Sequence, residues 1–178
     1  VVREYFGSTV AQVQATFSIA LLTFALGMLF WGPFADRYGR RLAILAGVGL
    51  MAAGSVVCLF APSLAWLIAG RGVLAFGTAT GIAVSRTIVS DLYPDSMARM
   101  LAQLAIFAVV SSASAPVIGG FLTSWFGWRS VFAFLVVLTA LLWIACWKLL
   151  PETLPPEKRQ SLHPAYLDQR ELAPAWGA

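Results

Sequence analysis

Three patterns interrupt an otherwise apolar chain, and each implies its own chemistry. The first is Gly32-Pro33-Phe34-Ala35-Asp36-Arg37-Tyr38-Gly39-Arg40-Arg41. Asp36 closes a helix, where a carboxylate opposes the helix dipole unless it is paired. An arginine four residues on can pair it. Gly39 permits the tight turn between them. Asp91 is a second candidate partner. Such pairs form a conformational latch if they close in one state and break in another. The alternative is a topology signal with ordinary surface pairs, worth at most ~1 kcal/mol each. The second pattern is a pair of arginines inside an apolar run, Arg71 and Arg86. An arginine near the centre of a membrane helix costs about 3 kcal/mol on insertion scales. Arg71 therefore calls for a cavity or a partner, as a charge in a substrate or proton pathway; the alternative is an outward-snorkelling side chain. Fifteen steps of ~100° bring Arg86 within about 60° of the same face, nearer one helix end. The third pattern is a double stripe of small residues, Ser111, Ala115 and Gly119 beside Ser112, Pro116 and Gly120. It lets another helix approach closely, and Pro116 permits a kink.

Covalent and metal chemistry are missing. There is no H-E-x-x-H and no G-x-S-x-G, and the one histidine, His163, lies in a polar tail. The chain is read as not an enzyme, with no cofactor and no metal. Cys58 and Cys146 sit in apolar runs as small packing residues. Gly77 and Gly81 form one G-x-x-x-G, read as packing. Thr23, Thr78, Thr80 and Gln103 are polar groups inside spans, and single hydroxyls often bond back to their own helix.

The elements that must position these groups follow from composition. Of 178 residues, 60% are hydrophobic and only 11% charged, against about 25% charged in a soluble domain. At about 20 residues per span, the apolar content is enough for five membrane helices. The charges mark their borders, giving spans at 12–34, 42–61, 64–90, 100–123 and 129–149. Backbone in lipid must satisfy its own hydrogen bonds, so each is a helix. The fold class is an all-α polytopic bundle over residues 1–150, followed by a cytoplasmic loop or tail over 151–178. Eight lysines and arginines fall near one side and two, Arg3 and Arg129, near the other. The side of the Asp36 loop is therefore cytoplasmic. Trp31, Trp66, Trp125, Trp128 and Trp147 fall near helix ends, as an aromatic belt would. No basic face is available for nucleic acid. Val1 is not Met, and a preceding helix is expected beyond the chain as given.

The Asp36 loop resembles the signature loop of the major facilitator superfamily, G-x-L-A-D-R-x-G-R-R, with Phe34 in place of leucine. Arg71 sits where that family carries R-x-x-Q-G-x-G in its fourth helix, with Leu74 for the glutamine and Ala75 for the first glycine. Ala115-Pro116-Val117-Ile118-Gly119-Gly120 is similar to the antiporter motif G-P-x-x-G-G, with alanine for the first glycine. Ser85–Tyr93, Phe126–Phe132 and Pro151–Arg159 look like the Bcr/CflA drug-resistance branch. The resemblance implies an incomplete amino-terminal half of a major facilitator fold, helices two to six of twelve, in the cell inner (plasma) membrane.

It also implies proton-coupled efflux of small hydrophobic drug-like solutes by alternating access. Gly32, Asp36, Arg37, Gly39, Arg40, Arg41 and Asp91 would then be the gate. Arg71 and Arg86 would be the pathway, and Ala115, Pro116, Gly119 and Gly120 the antiporter packing. The expected partners are solutes, protons, the lipid bilayer and the remainder of the transporter. A truncated, non-transporting half-bundle and a facilitator for another substrate class stay open. No acid lies inside a span, so the proton carrier is expected elsewhere in the full transporter.

Overall fold

The computed structural model describes Gly7 and residues 9–151. Five α-helices follow one another: α1 (Val10–Tyr38), α2 (Arg40–Leu59), α3 (Leu64–Leu92), α4 (Met97–Phe126) and α5 (Arg129–Leu149). A single 3-10 turn, Pro94–Ser96, leads into α4. All five helices are long and apolar enough to cross a membrane, and no strand occurs among the described residues. The five expected spans are these five helices. Several run beyond the charges used as borders: α1 continues through Asp36 to Tyr38, and α4 begins at Met97. Charged residues leave the hydrocarbon without ending the helix, because helical backbone satisfies itself in either solvent. The expected tail lies outside the described residues.

Local chemistry sets the helix ends. Thr9 caps α1 through a capping box: its hydroxyl accepts from the Gln12 N–H, and Gln12 Oε1 accepts from the Thr9 N–H at 2.9 Å. Gly39, at φ 106°, separates α1 from α2. A side chain is strained in that conformation, so α1 and α2 reverse direction over one residue only because it is glycine.

α3 is the centre of the bundle. It runs parallel to α1, with Thr23 beside Gly72 and Gly27 against Phe76 and Ala79. It runs antiparallel to α2, with Gly54 against Gly70 and Leu74, and Gly47 against Thr80. The α2–α3 contact is close because glycines spaced by seven residues face each other, Gly47 and Gly54 on one helix, Gly70 and Gly77 on the other. A Cβ on Gly77 would stand 2.5 Å from the Gly47 carbonyl oxygen, and one on Gly54 would stand 2.5 Å from the Leu74 nitrogen. Gly81 has open space around its Cβ position, so the G-x-x-x-G pair does not act as a pair. The spacing that matters is seven, matching the repeat that keeps one helix face on its neighbour.

Trp31, Ala35, Ala43, Ile44, Val48, Ala79 and Val84 form a buried core at the Asp36 end. Cys58, Ala61, Leu67 and Trp128 form a smaller one at the other end. This corrects the aromatic belt. Trp31 is 2% exposed and donates its indole N–H to the Phe76 carbonyl at 2.9 Å. Trp128 is buried too, whereas Trp66, Trp125 and Trp147 remain exposed. Position along a helix locates a tryptophan at a membrane depth. It says nothing of which face carries it. α4 has no buried residue, and α5 buries only Thr139.

The glycine contacts make a direct prediction for thermal and denaturant unfolding in detergent. Gly77→Ala forces backbone apart and destabilises by about 1–3 kcal/mol. Gly81→Ala, one turn away in open space, leaves the midpoint unchanged or slightly raised. Equal midpoints for the two variants would contradict the close approach.

Candidate functional site

Arg40 is the first residue of α2, and its side chain is only 7% exposed. Its Nη2 lies 3.2 Å from Asp36 Oδ1 on α1 and 3.5 Å from Asp91 Oδ2 on α3. Three helices are joined through one guanidinium. Each of the three charges opposes the dipole of its own helix. Asp36 and Asp91 stand in carboxyl-terminal turns, where carboxylates are disfavoured. Arg40 stands in an amino-terminal turn, where a cation is disfavoured, each by roughly 0.3–1 kcal/mol. Only together are they compensated. The carboxylates stay partly in contact with solvent, with side chains 42% and 32% exposed, while the cation between them is covered.

The neighbouring basic residues play different parts. Arg37 is exposed and lies over the Tyr38 ring at 5.3 Å. Arg41 is half-buried and donates through Nη2 to the Trp147 carbonyl of α5 at 2.7 Å. Gly39 is buried and supplies the turn. Gly32 has no side chain or neighbouring backbone within 4 Å of its Cβ position among the described residues.

Arg71 lies apart from this cluster. It is half-buried on α3, with its guanidinium carbon 4.7 Å above the Phe17 ring of α1. A cation over an aromatic face gains about 0.5–2 kcal/mol, more as water is excluded. No carboxylate pairs with it among the described residues. The sequence does not mark Phe17, because a lone aromatic in an apolar run carries no signal of what will cross it. Arg86, about 22 Å further along α3 at ~1.5 Å per residue, lines a cavity of about 380 Å³ between α3 and α4. Ile82, Ser85, Leu101, Leu104, Ala105 and Ala108 form its other walls. The two arginines are thus on one helix but in separate surroundings.

Ala115, Pro116, Gly119 and Gly120 lie on α4 away from the other candidates. No described residue comes within 4 Å of the Cβ positions of Gly119 and Gly120. Thr23 and Thr78 donate to carbonyls of their own helices, Ile19 and Leu74. Thr80 is fully buried, its hydroxyl unpartnered against Gly47.

A bundle of long apolar helices tied at one end by charges is a multi-pass membrane protein. The family model for the Major Facilitator Superfamily matches residues 1–178, and the chain belongs to that family. It is 36% identical over 144 residues to Multidrug resistance protein D of Escherichia coli (strain K12), covering 80% of this chain and 36% of that protein. It is 30% identical over 149 residues to the Bicyclomycin resistance protein homolog of Haemophilus influenzae, covering 83% of this chain and 37% of that protein. It is 35% identical over 127 residues to the Drug efflux pump JefA of Mycobacterium tuberculosis, covering 70% and 25%. The chain spans roughly a third of the length of these curated relatives.

The shared guanidinium makes the two carboxylates partly redundant. Asp36→Asn and Asp91→Asn each cost about 1 kcal/mol or less in a detergent unfolding titration, as partly exposed pairs do. The double variant takes both carboxylates from a covered cation and costs about 3 kcal/mol, more than the sum. Strict additivity would show that Arg40 does not couple them.

Proposed function

We propose that this chain is part of a secondary active transporter that exports small hydrophobic, drug-like solutes in exchange for protons by alternating access. The observation that carries the reading is Arg40 held between Asp36 and Asp91, one cation bridging α1, α2 and α3 at a single end of the bundle. Three mutually compensating charges at helix ends have two arrangements of similar energy. Closed, they pin the ends together. Open, each charge meets water and lipid headgroups. A small differential interaction therefore moves the balance. The Asp36 end faces the cytoplasm of the inner membrane, where Arg37 and Arg41 meet anionic lipid. The latch holds that end shut while the opposite end is open.

Arg71 is assigned to the solute or proton pathway, since a half-buried cation whose contact is an aromatic ring attracts anions and polar solutes. Arg86 is assigned the same role at the cytoplasmic end. The Ala115–Gly120 stretch is assigned to close packing against helices contributed by the rest of the transporter. Among the described residues no acid lies within a span away from helix ends. The proton-carrying carboxylate is accordingly assigned to the remainder of a protein of the relatives' length. The names of the drug-resistance relatives support the solute class.

The test has two parts. An immunoblot of native membranes gives the mass of the gene product; a band well beyond this chain's size fits a full transporter, and a band at its size favours a non-transporting half-bundle. Dye efflux from cells making the native product then reports the assigned roles. Arg40→Gln slows efflux roughly tenfold, the effect of about 1.4 kcal/mol on the balance between two states. Arg40→Lys retains part of the rate by keeping the charge, and Arg71→Ala abolishes the efflux. Unchanged efflux in Arg71→Ala and Asp36→Asn would overturn the assignments.

A further inference from the structure

α2, which contributes Arg40 to the charge cluster, also forms an antiparallel pair with α5, which contributes no residue to it. Two polar contacts from side chain to backbone fix their register. Trp143 donates its indole N–H to the Leu45 carbonyl at 3.1 Å, and Arg41 donates to the Trp147 carbonyl at 2.7 Å. The Trp143 and Trp147 rings are near-parallel, their centroids 6.2 Å apart. Beside them a groove of about 410 Å³ runs between the helices, lined by Gly49, Ala52, Ala140, Trp143 and Ile144. Its floor is narrow because three of these residues have a methyl group or less. Its walls are the Trp143 ring and Ile144, 38% and 45% exposed. The indole N–H is already engaged by Leu45, so Trp143 offers the groove only an apolar face.

The same two helices carry a cation each on the headgroup side of this groove, Arg41 on α2 and Lys148 on α5, the latter next to the carbonyl that Arg41 reaches. Eight residues separate Arg41 from Gly49, and eight separate Lys148 from Ala140. On either helix the cation thus stands about 12 Å along the axis from the groove. One leaflet of the hydrocarbon core is about 15 Å thick. The cations accordingly fall at headgroup level and the groove at the level of the acyl chain.

We infer that the α2–α5 face is a binding site for one anionic phospholipid, its phosphate between Arg41 and Lys148 and one acyl chain in the Gly49–Ala52–Ala140 groove. The occupant follows from charge and depth together. A zwitterionic lipid brings a choline cation along with its phosphate and so matches the two cations less well, and a soluble anion would not reach the groove. The inference is independent of the efflux reading and holds for a bundle that transports nothing.

The test uses the native gene product in phosphatidylcholine vesicles containing a fixed fraction of lipid brominated on its acyl chains, either phosphatidylglycerol or phosphatidylcholine. Bromine quenches nearby tryptophan. Two basic contacts at the headgroup level enrich the anionic lipid at the groove roughly thirtyfold, so brominated phosphatidylglycerol quenches more at equal mole fraction. The excess disappears in Lys148→Gln, which loses a cation, and in Ala140→Leu, which fills the groove from an exposed position. It falls in Trp143→Phe, which removes the reporter. Equal quenching by the two lipids overturns the site, as does an excess that survives either Lys148→Gln or Ala140→Leu. A protein partner seated on this face gives that same lipid-independent result.

Discussion

The bundle turns on one compensation. Arg40, Asp36 and Asp91 each sit at the helix end that electrostatics disfavours; each carboxylate is tolerable because Arg40 lies within 3.5 Å, and Arg40 because it meets both. A helix pair could satisfy one such mismatch. Here three helices share it, so the relative height of α1, α2 and α3 is set by the reach of a single guanidinium. Gly39 makes that reach possible, since a one-residue turn brings Arg40 back over Asp36. The core beneath it, from Trp31 to Val84, covers the cation and strengthens its attraction to the carboxylates.

The second constraint is backbone proximity. α2 and α3 touch through glycines, which brings backbone of one helix against backbone and short side chains of the other. In lipid the hydrophobic effect does not drive helices together, and close packing with internal polar contacts must do so. The Trp31–Phe76 and Trp143–Leu45 bonds serve in that way, each tying an indole to the backbone of another helix. α1, α2 and α3 thus make a rigid wedge. α4, with nothing buried, is attached at its ends and along few residues.

The candidate groups divide accordingly. The Asp36–Arg40–Asp91 cluster belongs to the wedge at one end. Arg71 faces Phe17 on the same wedge but deeper, where a charge is costly and so informative. Arg86 opens on the looser α3–α4 side. The two arginines stand about 22 Å apart along one helix at ~1.5 Å per residue, in separate surroundings.

Much of this was legible in the residues. Four uncharged stretches, Glu4 to Asp36, Arg41 to Arg71, Arg99 to Arg129 and Arg129 to Lys148, and one apolar run that carries Arg71 and Arg86 are enough to count the helices, because lipid permits little else than helix over such lengths. The pairing of Asp36 with Arg40 follows from four-residue spacing, and Asp91 was a candidate from its place at a helix end. What spacing leaves undecided is azimuth and partner. Trp31 and Trp66 look alike along the chain, yet one is core and the other faces outward, because α3 packs on one side of α1 only. Gly77 and Gly81 look equivalent too, and only the first meets a neighbour. Phe17 acquires meaning from Arg71 on another helix. The apolar composition by itself determined the helices, their number and the charges at their ends, all local properties of segments in lipid. Which faces touch is decided by the tertiary structure alone. The reason is physical: in a membrane both sides of a helix can be apolar, so burial leaves no pattern in the sequence.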